Sequence, residues 1–483
     1  MGVSRERWSK KFSEWFDDVL WKAEIYDYGR YPVKGCGVWL PYGFKLRKNI
    51  IELIRKLLDE TGHEEVLFPI LIPEDLLAKE AEHIRGFSGE VYWVTHGGTD
   101  ELDVKLALRP TSETIISLYE SYWLKSYKQL PKKYYQIVSI FRYETKATRP
   151  MIRVREVTTF KEAHTAHHSF EDAERQIVEA LKIYMRFYDE LGIPYIVSKR
   201  PDWDRFAGAL YTIALDTLMP DGRAMQIGTV HLLGQNFSKA FEIRVQLEDE
   251  SIDYVWQTSY GISERAVASI ISVHGDDHGC TLPSNIAPVQ VVIIPIWIKG
   301  READINKYSK EVYEELKKGG LRVEVDERRE IGPGAKFYEW EAKGVPVRVE
   351  IGAKEVDENK VTLVRRDTLE RMVVKRDNVL DEVKSLVSNI DRSIRERAKK
   401  FMFEKIIRVD NVEDAKRIIA ERSGIVELPW CGRASCGHRM EEVIEARTLG
   451  SPLPIIEKVD LSDAKCAICG REAKTIMRLS KTY

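Results

Sequence analysis

Between residues 134 and 262 the chain reads as a series of strand-like segments interrupted by one long helical stretch, Glu171 to Leu191. The segments return by hairpins more than by crossover helices. Parallel neighbours need a long crossover for each return, whereas antiparallel neighbours need only a turn. The pattern therefore predicts an antiparallel sheet flanked by helices. No glycine-rich phosphate loop follows a strand, which removes the dinucleotide-binding and P-loop folds.

On either side of this region the periodicity changes. Residues 5–24 place Trp8, Phe12, Trp15, Phe16, Val19 and Leu20 at helical spacing, the pattern of an amphipathic helix on a core. A second helix is expected from about 43 to 61, then a strand over Val66–Pro73. Pro69 inside that strand has no N–H to donate and belongs at an edge. After Pro283 a strand (Val289–Trp297), a helix (304–318), a strand (Leu321–Asp326), a helix (334–343) and strands near 345–351 and 361–365 alternate. Such alternation predicts a separate α/β domain. A charged helix (380–403) leads to a third unit. The expected division is 1–283, 284–400 and 401–483, α/β in content, with the first part of the α+β kind.

A formal charge of −2 over 483 residues argues against a protein that coats nucleic acid through a bulk positive field, but leaves room for a local RNA-binding face. No apolar run reaches the roughly 18–20 residues of a membrane span, and the N-terminal segment lacks a secretory signal, so a cytoplasmic address is expected. Of six cysteines, Cys431 and Cys436 are separated by four residues, and Cys466 and Cys469 by two. Two such knuckles suit a closed, structural four-thiolate zinc site. His438 is the alternative to Cys436, while Cys36 and Cys280 are expected in the core.

The residues with chemical potential lie in a few short phrases: Leu108-Arg109-Pro110-Thr111-Ser112-Glu113, Phe141-Arg142-Tyr143-Glu144, a loop with Lys146, Arg149, Arg153 and Arg155, and Gly261 with Arg265. Guanidinium groups pair bidentately with phosphate and stay charged at any working pH. Arg142 and Glu144 are expected on one face of a strand. Arg265 is expected at a helix start capped by Ser263, where the helix dipole also favours phosphate. A buried carboxylate such as Glu113 is costly unless it meets a cation, which makes it a natural amine receptor. Phe160 and Phe206 are candidate walls of an apolar slot. The spacing of His164, His167 and His168, and of His274 and His278, does not match the zinc-protease helix motif, so hydrogen-bonding roles are expected.

These phrases resemble the motifs of class II aminoacyl-tRNA synthetases, and their flanks resemble the prolyl-tRNA synthetase family over nearly the whole chain. The resemblance implies the archaeal/eukaryotic type, in which proline is activated by ATP with Mg2+ and transferred to tRNA(Pro). It implies catalytic roles for Arg142, Glu144 and Arg265. Proline would be bound by Thr111, Glu113, Arg142, Phe160, His164, Phe206, His231 and Ser259. ATP would be bound by Arg142, Glu144, Arg153, Gln226, Thr229, Thr258 and Arg265. Phe87-Ser88-Gly89-Glu90 would also line the proline pocket. Phe337, Glu341 and Arg348 would read the anticodon by stacking and edge hydrogen bonds. A C-terminal zinc domain, a homodimer joined through the Pro69 region, and Tyr483 approaching the active site are further implications. Only about a hundred residues separate the second and third motifs, too few for an inserted editing domain. Some activation of alanine or cysteine is therefore expected. One departure stands out: Val157-Thr158-Thr159-Phe160 is a residue longer than the matching family segment.

Overall fold

The computed structural model describes residues 3–79 and 89–483. Phe87 and Ser88 lie outside the described residues. An eleven-stranded sheet runs through the molecule. Its first part comprises β1 (Glu64–Glu65), β2 (Lys132–Phe141), β3 (Glu156–His167), β4 (Ile196–Lys199), β5 (Tyr211–Leu218), β6 (Ala224–Gly234) and β7 (Trp256–Ile262). The order is β4-β5-β6-β7-β3-β2-β1, with every pair antiparallel except the short β1–β2 contact. The antiparallel expectation matches this topology.

One face of the sheet is closed by α1 (Phe170–Glu190), whose Ile177, Leu181, Tyr184, Phe187 and Tyr188 are buried. Ser169 caps it by accepting the N–H of Asp172. The amphipathic stripe thus lies where the apolar side chains of β5 and β6, such as Leu215, Ile227 and Val230, face it. The opposite face stays open and carries the polar residues described below.

Two N-terminal expectations change in detail. The helix over 5–24 is broken at Lys11 into Glu6–Lys10 and Phe12–Lys22. Asp277 holds the first piece by accepting the N–H groups of Glu6 and Trp8, while the indole N–H of Trp15 is donated to Asp276 O. Of the strand expected over Val66–Pro73 only Leu71–Pro73 forms, and β1 ends just before that range at Glu65. Pro69 interrupts the ladder, and side chains replace it: Arg109 donates to the carbonyls of Phe68 and Pro69, and Gln136 accepts the Phe68 N–H.

The middle unit is a five-stranded mixed sheet, β8 (Val291–Pro295), β9 (Val323–Val325), β10 (Val347–Ile351), β11 (Lys360–Arg365) and β12 (Arg371–Lys375), in the order β9-β8-β10-β11-β12. Helices 302–318 and 379–403 cover it. β12 has no counterpart in the sequence reading; Arg371, Met372 and Val373 are all exposed, so no alternation of burial marks the strand. The unit is tied to the first by Arg366, which donates to both oxygens of Asp276 at 2.7 Å and to Glu341 O at 2.8 Å, all buried.

The last unit contributes β13 (Ile406–Arg408), β14 (Ile425–Trp430), β15 (Arg447–Pro452) and β16 (Thr475–Ser480), ordered β13-β14-β16-β15. β15 pairs antiparallel with β4, Ser451 opposite Lys199 and Pro452 opposite Ser198. The third unit is therefore an extension of the first sheet rather than a body on a tether.

Candidate active site

Strand register builds the open face. Across β5, β6, β7, β3 and β2 one row reads Thr212, His231, Ser259, His164, Tyr134, and the next Ala214, Thr229, Gly261, Glu162, Gln136. Side chains alternate along a strand, so both rows point to the same side. Thr258 lies one residue beyond the first row, next to Ser259 on β7, and points the other way. It is fully buried, 2.5 Å from the Thr165 hydroxyl, and does not line the cavity. Thr258 was expected to face the nucleotide; its parity on β7 corrects that expectation.

Two bulges bring further side chains onto the open face. Between Leu215 and Asp216 the register of β5 against β6 shifts, leaving Ile227 as an extra residue. Gln226 and Thr229, three apart, thereby share the cavity side. Between Val138 and Ile140 the β2–β3 register shifts in the same way. This is where the additional residue of Val157-Thr158-Thr159-Phe160 goes: Val157 and Phe160 both line the cavity. Thr158 and Thr159 turn away into a clamp. Glu264 accepts the Thr158 N–H at 2.6 Å and its hydroxyl proton, Arg47 donates to Thr158 O at 2.9 Å and to the Thr159 hydroxyl, and the Trp39 indole reaches Thr158 Oγ1 at 2.8 Å.

The rows floor a cavity of about 390 Å³. Thr111, Glu113, Arg142, Glu144, Arg153, Phe160, His164, Phe206, Gln226, Thr229, His231, Ser259 and Arg265 all line it. Two charge neighbourhoods meet there. Glu113, at the start of helix Glu113–Trp123, accepts from the Thr111 hydroxyl and lies close enough to His164 and His231 to act on both electrostatically. Arg265, at the start of helix Arg265–His274, sits among Arg153, Arg142, Asp216 and Glu144, donating to Ile152 O at 2.9 Å and Gln226 O at 3.3 Å. Arg142 belongs to both neighbourhoods: Glu90, Glu113, Glu162 and Glu144 all act on it.

Burial lowers the pKa of Arg142, and it lowers that of Arg265, together with the repulsion of Arg153 and Arg142, to about 10. Both remain cationic at neutral pH, which suits them to an anionic ligand. Burial pushes His231 down to about 4, so it is a neutral imidazole, with Nδ1 2.9 Å from Thr212 Oγ1 and its ring stacked on Phe206 at 4.5 Å. Burial also disfavours the His164 cation, but the hydrogen bond to Glu162 and the charges of Glu113, Glu162 and Glu120 outweigh it and raise its pKa.

Two local expectations differ. β2 ends at Phe141, so Arg142 and Glu144 lie just past the strand; a tight turn, Glu144 N–H to Arg142 O at 2.7 Å, still directs Glu144 into the cavity. Glu264 occupies the helix N-cap position, and Ser263 accepts the Arg265 N–H from one residue earlier, at 3.3 Å. The sequence reading also missed Glu162, Asp204, Arg205 and Asp216. Asp216 pairs with Arg200 at 2.7 and 2.9 Å, and Arg200 in turn donates to Gln226 Oε1 at 3.1 Å. Alternation along β3 places Glu162 with His164 and was the available signal; the Arg200–Asp216 pair had none.

Away from the cavity, Phe337, Glu341 and Arg348 come together. The Arg348 guanidinium lies 4.1 Å above the Phe337 ring and donates to Glu341 at 2.6 Å and Glu350 at 3.0 Å. Glu341 and Arg348 are each only 8% exposed, so the edges expected to be presented to RNA are paired with each other. The four thiols of Cys431, Cys436, Cys466 and Cys469 lie within 4.8 Å of one another, with Cys431 Sγ 3.7 Å from the sulfurs of Cys436 and Cys469. A tetrahedral site with Zn–S of about 2.3 Å has edges of about 3.8 Å, so the quartet fits a zinc ion. Burial pushes the Cys436 thiol up to about 12. Burial acts likewise on Cys466, but the N–H groups of Cys469, Ile468 and Cys431 prevail and bring it to about 7. Tyr483 is not frayed: its hydroxyl donates to Asp221 at 2.6 Å and its ring packs on Phe12.

Residues 92–274 match the class II tRNA synthetase core family (G, H, P, S and T), 290–386 the anticodon binding domain family, and 412–483 the prolyl-tRNA synthetase C-terminal family. The chain is 61% identical to a proline–tRNA ligase of Sulfurisphaera tokodaii, with 100% of each chain covered. It is 60% identical to one of Aeropyrum pernix, with 99% of each covered. Among solved structures it resembles a Giardia lamblia prolyl-tRNA synthetase in complex with prolyl-adenylate, TM-score 0.95 and 34% identity over 100% of both chains. It also resembles a Cryptosporidium parvum prolyl-tRNA synthetase complexed with L-proline and AMP, TM-score 0.93 and 32% identity, covering 100% of this chain and 97% of that one.

Glu120, buried behind the cavity floor, makes stability depend on pH. Glu120 is buried with one oxygen accepting from Gln257 at 2.7 Å, and burial, only partly opposed by that bond, raises its pKa to about 7. In the unfolded chain a glutamate titrates near 4.3. The native state therefore keeps a proton that the unfolded chain releases, and the stability from this residue is complete below about pH 4.3 and is lost as pH rises through about 7. The loss is of order 3 kcal/mol. Glu120→Gln should remove it. Denaturant midpoints of the two proteins at pH 5 and pH 8 should diverge; parallel curves would show that Glu120 titrates normally.

Proposed function

The chain belongs to the prolyl-tRNA synthetase family of ATP-dependent proline–tRNA ligases, and from that membership and the cavity's geometry we propose how its residues divide the reaction. The observation that carries the proposal is Arg142 standing between a buried glutamate and a second arginine. Glu113, supported by Thr111, takes the imino group of proline. Phe160, Phe206, His231, His164 and Ser259 enclose the ring, and neutral His231 adds no charge that would compete with it. Arg142 holds the proline carboxylate and the α-phosphate together. Arg265 and Arg153 steady the charge that develops on pyrophosphate as it leaves.

In the first step the proline carboxylate oxygen attacks the α-phosphorus, the bond to pyrophosphate breaks and prolyl-adenylate forms. In the second, a ribose hydroxyl at the 3′ end of tRNA(Pro) attacks the prolyl carbonyl and AMP leaves. Most of the acceleration comes from placing two anions together against fixed positive charge. ATP enters as its Mg2+ complex, with Glu144 available to that ion directly or through water. Gln226 and Thr229 face the nucleotide.

We assign the catalytic role to 1–283, anticodon binding to 284–400 around Phe337, Glu341 and Arg348, and zinc binding to 401–483. For the anticodon to be read there, the Arg348–Glu341 pair must open, and a guanine edge offers equivalent partners. Zinc held by the four thiolates supplies a structural crosslink, and no chemical step passes through it. A homodimer is supported by the surface around Pro69: Leu67 is 82% exposed, and Ile70, Leu71, Tyr122 and Trp123 are exposed with it.

Pyrophosphate exchange with each amino acid in turn tests the central assignment. Exchange should require proline. Glu113→Gln should raise KM for proline at least about tenfold, a loss near 1.4 kcal/mol, with KM for ATP little changed. Arg348→Ala should keep exchange and lose most tRNA charging. Exchange dependent on another amino acid would overturn the reading. Elemental analysis should find one zinc per chain, and chelation should lower the thermal midpoint before it lowers exchange. Leu67→Glu should convert a dimer to a monomer in sedimentation; a wild-type monomer would remove the dimer assignment.

A further inference from the structure

The strap between β4 and β5 leaves the catalytic face and returns to it. At its start Arg200 is held by both oxygens of Asp216 and donates to Leu449 O in the last unit. At its end Phe206 stacks on His231, and its N–H is donated at 2.9 Å to Thr212 Oγ1, the same oxygen that meets His231 Nδ1. Between these points Trp203 inserts into the cysteine-bearing unit. It packs against the core that contains Cys431, Cys436 and Cys466, edge-on to Trp430 at 6.1 Å and over His438 at 4.4 Å.

The slot for this indole exists because residue 437 is glycine. A Cβ at Gly437 would lie 2.4 Å from the Trp203 ring, closer than any real contact. Gly437 follows Cys436 directly, in the first turn of the helix Ala434–Ile444 that the Cys431–Cys436 knuckle opens. The indole N–H has no partner among the described residues, so packing rather than hydrogen bonding holds it. Only two residues separate Trp203 from Phe206, a reach of about 10 Å even when extended. A shift of the plug must therefore reach the cavity wall.

We propose that Trp203 is a positioning residue: seated against Gly437, it lets the cysteine-bearing unit set the place of Phe206 at the amino-acid end of the cavity. This rests on the reading of that cavity as the proline and ATP site. The last unit then acts on amino-acid binding without contributing a side chain to the proline. The effect is expected at the amino-acid end, because the strap runs from Trp203 to Phe206, whose ring stacks on His231.

Trp203→Ala, Trp203→Phe and Gly437→Val are compared with wild type in proline-dependent pyrophosphate exchange, with KM for proline and ATP measured separately. Trp203→Ala and Gly437→Val should each raise KM for proline about five- to twentyfold, with KM for ATP within about twofold, an energy of roughly 1–2 kcal/mol. Trp203→Phe should recover most of the loss. A merely structural role would lower thermal stability and the fraction of active sites while leaving both KM values unmoved, and that outcome overturns the inference. So does an equal rise in both KM values. If Gly437→Val does not fold, Trp203→Leu, which half fills the slot, replaces it and should fall between Phe and Ala. Wild-type protein without proline-dependent exchange would instead sink the reading of the cavity itself.

Discussion

Cross-strand register is the constraint on which the rest of this molecule depends. Four antiparallel strands present Thr212, His231, Ser259 and His164 in one row, and Thr229, Gly261 and Glu162 in the next. A slip of one residue in any strand would exchange its cavity side chains for those that face Tyr184 and Tyr188. The apolar partners on the other face, Leu215, Ile227 and Val230 under helix Phe170–Glu190, hold the register by making such a slip expensive. The polar site is thus stabilised by the apolar residues between its members.

The charges on the open face are a second layer built on the first. Buried like charges repel, and Arg142, Arg153 and Arg265 are close enough for burial and mutual repulsion to lower Arg265. Carboxylates surround this group, and the positive charge there is fixed in place by the fold rather than assembled around a ligand. His164 and His231 divide in the same field. The one beside Glu162 is favoured as a cation, and the one against Phe206 stays neutral.

Much of this was legible in the sequence where periodicity is strong or side-chain chemistry is unmistakable. The helix expected over Glu171–Leu191 spans Phe170–Glu190, and the cysteine spacing leads to thiols within 4.8 Å. Nearly all the residues expected at the cavity line it. What was not legible depends on pairing between distant segments. Thr258 and Ser259 cannot be told apart without knowing which face of β7 is apolar, and the two bulges reverse parity at Gln226 and Val157. The extra residue beside Phe160 was visible, but that a bulge clamped by Glu264 absorbs it was not. Glu341 and Arg348 show the same limit: both looked like exposed readers, and only the fold pairs them.

The pairing of β15 with β4 has a consequence for how the chain is divided. Without the segment beyond about residue 400, β4 would lose its neighbour on one side and expose a row of unsatisfied N–H and C=O groups, a template for joining strands of other molecules. The apolar side of Ile196 and Leu218, which Met402, Ile425 and Leu449 cover, would be bared alongside it. A shortened protein would therefore tend to polymerise through its own backbone, so solubility alone would act to keep the terminal unit attached.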